Sequence, residues 1–151
     1  MLRYVALWLV VITIVVFIFQ VIYPSLTDEF ALISADVLSR PWILITSMFL
    51  HGGVEHILFN MFALGLFGFV LERVIGSKKF LILYFVSGIV AGFGSTFFYE
   101  AAIGASGAIF GVLGALGILR PRMTVYVGYI PMPMFVAVIF WAIGNLGGLF
   151  V

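Results

Sequence analysis

No cysteine occurs anywhere in the 151 residues. That absence removes a disulfide framework, a thiol nucleophile and sulfur-based metal sites together. Charge is nearly as scarce: Asp, Glu, Lys and Arg make up 9% of the chain, against roughly 25% in soluble domains. The net charge of +1 supplies no basic surface for nucleic acid. Histidine occurs only twice, at His51 and His56. These two do not form the i,i+4 pair of an H-E-x-x-H metalloprotease helix, so no metal and no cofactor is expected.

What the chain has instead is apolar surface. Hydrophobic residues reach 65% and mean hydropathy is +1.33, well above the roughly 45–50% apolar content of soluble domains. The lipid bilayer is therefore the expected solvent. The fold class this implies is all-α, a polytopic membrane helix bundle in one domain over residues 1–151. Apolar runs place about five spans at 4–22, 54–74, 79–98, 105–119 and 126–151, each judged against the roughly 20 residues a bilayer requires. Arg3 before an apolar run could imitate a signal peptide, but the run is long and no small-x-small cleavage site follows. It reads as the first span. Residues 25–50 carry Asp28, Glu29, Asp36 and Arg40, yet also Phe30, Trp42 and Phe49. A loop of that composition belongs in the membrane interface.

Six of the seven basic residues (Arg3, Arg73, Lys78, Lys79, Arg120 and Arg122) fall on one side of this arrangement. The positive-inside rule then puts the amino terminus in the cytoplasm and the start of the fourth span near the outer face. The expected location is the plasma membrane of a prokaryote.

Two segments carry candidate chemistry. Gly104-Ala105-Ser106-Gly107 opens the fourth span. A serine at the outer mouth of a short helix can be reached by water, which hydrolysis requires. The same glycines have a plainer use, because Gly107-x-x-x-Gly111 and Gly88-x-x-x-Gly92 are small-residue packing patterns. In the second span, His56 and Asn60 stand four apart on one helical face. With the Ser106 backbone N–H, they could form three donors to a developing oxyanion, or they could simply tie two helices together. His51 is expected at or above the start of that helix, fixing the turn, on a face different from that of His56.

Taken together, Trp42 to Gly53, His56-Ile57-Leu58-Phe59-Asn60-Met61, Leu71-Glu72-Arg73-x-x-Gly76 and Gly104-Ala105-Ser106-Gly107 resemble the rhomboid family of intramembrane serine proteases. The resemblance implies that Ser106 is the nucleophile of the G-x-S-G motif and that Gly104 lies beneath it. It implies that His56 and Asn60 are the oxyanion pair, that His51 is the histidine usually preceding them, and that residues 25–50 are the interfacial first loop. Transmembrane protein substrates, cut near the outer face where their helices unwind, are the implied partners.

One departure stands out. The family's dyad histidine lies on a sixth core helix, in an A-H-x-x-G context roughly fifty residues after the serine, and no histidine follows Ser106 here. Either Gly144-Asn145-Leu146-Gly147-Gly148 is that motif with Asn145 substituted, or the chain stops after five of the six helices. Asn145 comes only 39 residues after Ser106, and the span count favours the second explanation. The expected function is a rhomboid-type endopeptidase that is inactive or truncated as this chain. The alternative is a non-catalytic rhomboid-like protein that binds transmembrane clients. A transporter or channel would need ionisable residues deep in several spans, and few are present.

Overall fold

The computed structural model describes residues 4–127 and 129–146. Seven helices dominate them: α1 (Val5–Ile22), α2 (Ser25–Phe30), α3 (Ile43–Thr46), α4 (Val54–Ile75), α5 (Ser77–Ser95), α6 (Ser106–Leu119) and α7 (Met134–Leu146). Two antiparallel pairs of strands accompany them, β1 (Leu32–Ile33) with β2 (Ala101–Ala102), and β3 (Thr124–Val127) with β4 (Ile130–Pro133). This is a helical membrane bundle. Among the described residues α1, α4 and α5 are long and apolar enough to cross a bilayer, while α6 and the apolar part of α7 are shorter.

Helix α6 lies at the centre, touching α4, α5 and α7. Its buried residues Ala108, Ile109, Val112, Leu113 and Leu116 recur at helical spacing. They pack with Leu64, Phe67 and Leu71 of α4 and with Phe80 and Tyr84 of α5 in one core. Close approach of α5 and α6 depends on small residues. A Cβ on Gly107 would meet the Ala91 side chain at 2.5 Å, and one on Gly88 would meet Ala108 at 3.3 Å. The glycine spacing therefore does serve packing.

Helix α4 is not uniform. Leu64–Gly68 winds as a π segment between two α-helical stretches. It ends at Gly76, whose φ of +84° lets α5 begin at the very next residue. Helix α1 packs against α4 with its direction reversed. The Glu72 carboxylate accepts hydrogen bonds of 2.9 Å from both Val5 N–H and Ala6 N–H, and a third of 2.6 Å from the Ser77 hydroxyl.

Val74 and Arg120 line one cleft, so the carboxyl ends of α4 and α6 share an end of the bundle. Ser106 and the start of α4 lie at the other. The first loop is built from short pieces closed around Leu32, Val37 and Ile43. It is stitched to the segment before α6 by β1–β2 and by the Ser34 hydroxyl, which donates to the Tyr99 carbonyl at 2.5 Å.

One expected boundary moves. The fifth span, placed from residue 126, begins only at Met134, because residues 124–133 form the β3–β4 hairpin. Pro131 and Pro133 supply the reason: proline lacks the N–H an interior helical position would donate, but it is tolerated on an edge strand. The Asn145 side chain and Gly147-Gly148 fall outside the described residues.

Candidate functional site

Ser106 is the first residue of α6, half-buried, with Ala105 as the capping residue. Its backbone N–H is one of those at a helix start that have no partner within the helix. Among the described residues nothing hydrogen-bonds its hydroxyl, so no side chain is in place to take its proton. Gly104 turns the chain into α6 with φ +120° and donates its N–H to the Ser47 carbonyl at 2.9 Å. A Cβ at that position would stand 2.9 Å from His56 Nε2. The His56 ring is thus laid against the turn that delivers Ser106. A cavity of about 120 Å³ opens beside Ser106, lined among others by Ser47, Met48, Gly104 and Gly107; neither His56 nor Asn60 lines it.

His56 itself is half-buried on the first turn of α4. Its Nδ1 accepts a long 3.4 Å hydrogen bond from the Gly52 N–H. When one ring nitrogen of a neutral histidine accepts, the other carries the proton. Nε2, the atom facing Gly104, is then a donor. Asn60 is buried, and its Nδ2 donates to the His56 carbonyl at 2.9 Å. The carboxamide is folded back along its own helix, with its second N–H unspent on that bond.

His51 departs from expectation in one respect. The helical-face argument set it apart from His56, but His51 precedes α4 and is not subject to helical spacing. Its ring lies edge-on to that of His56, with centroids 4.9 Å apart. It is 1% exposed, and neither ring nitrogen has a partner meeting hydrogen-bond geometry. Burial, and then the neighbouring His56, push the His51 imidazole down to about 4, with the Phe49 carbonyl opposing only weakly. His51 is neutral at any physiological pH.

Gln20 was not singled out by the sequence patterns. Its Oε1 accepts from His51 N–H at 3.0 Å, and its Nε2 donates to the His51 carbonyl and to the Thr27 hydroxyl, each at 2.9 Å. The available signal was the presence of a carboxamide in an otherwise apolar span, an expensive placement unless the group is partnered.

Comparison with known proteins bears on all of this. A family model described as Rhomboid domain matches residues 38–151. Rhomboid protease GluP of Bacillus subtilis is 48% identical over 77 residues, covering 50% of this chain and 15% of that protein. Putative rhomboid protease YdcA of the same organism is 46% identical over 77 residues, 48% of this chain and 38% of that protein. RHOMBOID-like protein 6, mitochondrial, from Arabidopsis thaliana is 38% identical over 91 residues, 58% of this chain and 30% of that protein. In each case the match spans well under half the length of the relative.

Proposed function

Because this chain belongs to the rhomboid family, we propose that it carries the nucleophile and oxyanion hole of an intramembrane serine endopeptidase. Its substrates are transmembrane proteins cleaved near the outer membrane face. Ser106 Oγ attacks the scissile carbonyl. The developing oxyanion is received by the Ser106 N–H and His56 Nε2, and by the Asn60 carboxamide once it turns away from the His56 carbonyl. The single observation supporting this most strongly is the Gly104 turn, which sets the start of α6 against the Nε2 face of His56. Arg73, Lys78, Lys79, Arg120 and Arg122 lie at the opposite end of the bundle, while Arg40 sits in the first loop. With that end cytoplasmic, the amino terminus is inside the cell, Ser106 faces outward, and the protein resides as a single domain in a prokaryotic plasma membrane.

A serine hydroxyl needs a base within hydrogen-bond reach. His56 is committed as a donor, His51 is walled off behind it, and no histidine follows Ser106. No such acceptor stands among the described residues, and we propose that the polypeptide by itself is inactive or nearly so until a base is supplied to it. What the hole and binding alone retain is on the order of a thousand- to ten-thousandfold over water.

The test is cleavage of a transmembrane reporter in proteoliposomes, by the chain alone and by the chain extended with a helix bearing A-H-x-x-G. The extended chain is expected to cleave, and Ser106→Ala to abolish cleavage. Failure of every extended variant, with Ser106 intact and the fold retained, overturns the endopeptidase reading. Stoichiometric labelling of Ser106 by a fluorophosphonate in the unextended chain overturns the need for a supplied base. A second reading rests on the folded-back Asn60 side chain, which leaves the hole incomplete: a non-catalytic protein that binds transmembrane clients. Cellular function that survives Ser106→Ala would favour it.

A further inference from the structure

Gln20 sits on α1, and no α1 residue lines the cavity beside Ser106. Yet its carboxamide grips the His51 backbone at both ends, as acceptor from the N–H and donor to the carbonyl. The residue next to that grip is Gly52, whose N–H goes to His56 Nδ1. We propose that Gln20 is a positioning residue of the site, acting through the His51–Gly52 backbone to hold His56 in the tautomer that presents Nε2–H to the Gly104–Ser106 turn. The proposal deepens the oxyanion reading given above and rests on it for its functional meaning.

The chemistry is a short relay. The peptide linking His51 to Gly52 contains both the His51 carbonyl and the Gly52 N–H. A rigid, planar peptide gripped at its carbonyl has a fixed direction for its N–H. That N–H meets an imidazole nitrogen, which must accept, and the proton is driven to the far nitrogen. At 3.4 Å the Gly52 bond is long, so it tolerates little further displacement before it is lost. The carboxamide makes three hydrogen bonds within a buried setting, leaving little of its capacity unspent. The bond to Thr27 only takes up a remaining Nε2 proton and does not involve His51.

A merely structural tie between α1 and the loop would not move a proton between ring nitrogens, and that supplies the test. The chain has only two histidines, so nitrogen-15 spectra of histidine-labelled protein in bicelles resolve both rings, assigned with His51→Gln. The wild-type chain is expected to show His56 as the Nε2–H tautomer. Gln20→Leu is expected to lower the ratio of the Nε2–H to the Nδ1–H form by roughly fivefold, the worth of one ordinary hydrogen bond. Thr27→Val is expected to leave the ratio unchanged. Gly52→Pro deletes the donated proton itself, where an added Cβ meets nothing nearer than 3.8 Å, and should reproduce the Gln20→Leu shift if the latter folds poorly. An unchanged tautomer ratio in folded Gln20→Leu, or an equal shift in Thr27→Val, overturns the proposal. If the ratio moves as expected but His56→Ala leaves reporter cleavage by the extended chain intact, the positioning stands and the oxyanion role of His56 falls.

Discussion

Gly104 combines a φ of +120° with a position where a Cβ would press on His56 at 2.8 Å. Either circumstance alone disfavours a side chain. Gly104→Ala is expected to cost on the order of 1–3 kcal/mol in backbone strain and to push the His56 ring away from Ser106. Thermal unfolding in detergent and reporter cleavage by the extended chain should both fall, and a variant of wild-type stability would show that the turn relaxes freely. His51 gives a prediction with a sign. Its folded imidazole titrates at about 4, below the ordinary 6.5, so between those values the unfolded chain binds the extra proton. Stability contributed by neutral His51 is complete above pH ~6.5, is lost as pH falls toward ~4, and levels off below that. The loss is at most on the order of 3 kcal/mol. Unfolding midpoints of the wild-type chain and His51→Gln, measured across this window, should converge as pH falls. Curves that run parallel would show that His51 does not contribute. Ser106, His56 and Asn60 were visible in the sequence because spacing along one helix and a glycine-flanked serine leave marks in order. The contact between His51 and His56 left none, since it depends on a loop folding back over the helix it precedes.

At the level of elements, the long apolar runs announced α1, α4 and α5, because a bilayer demands a length that composition reveals. The β3–β4 hairpin stayed hidden inside an apolar stretch whose only breaks are prolines and one glycine. The antiparallel seat of α1 on α4 was equally hidden, because it rests on two hydrogen bonds, from the Val5 and Ala6 amides, to one carboxylate 66 residues away from Ala6. Glu72 satisfies the amides that a helix start cannot satisfy for itself, and its charge suits that end of the helix dipole. Glu72→Ala strands two backbone N–H groups and the Ser77 hydroxyl. It is expected to destabilise by about 2–4 kcal/mol, whereas Glu72→Gln, which keeps one acceptor, should lose roughly half as much. Equal loss in the two variants, read from unfolding midpoints, would argue against the cap.

For the whole molecule, α6 is too short to cross a bilayer. Its 14 residues rise only about 21 Å against a hydrocarbon core of roughly 30 Å. Arg120 held at one headgroup layer would put Ser106 about 9 Å below the other, the depth the proposed hydrolysis calls for: shielded from bulk solvent yet reachable by water in a cavity. The π segment at Leu64–Gly68 bears on the molecule at the same scale. It lies between the half of α4 that carries His56 and Asn60 and the half that carries Glu72. A π segment accommodates one residue more than an α-helix would over the same stretch. Removing Gly65, where an added side chain would meet nothing, should restore regular winding with the two halves still in phase, because the deletion takes out the residue that the wider turn absorbs. His56 would stay against Gly104 and Glu72 against α1, so the deletion should leave the unfolding midpoint higher than Glu72→Ala does; a lower midpoint would show that the π turn itself is required. In an unbroken α-helix of the same residues, one half would be turned against the other by roughly 100°. The single surplus residue taken up in that turn keeps the half bearing His56 and the half bearing Glu72 each aimed at its own partner.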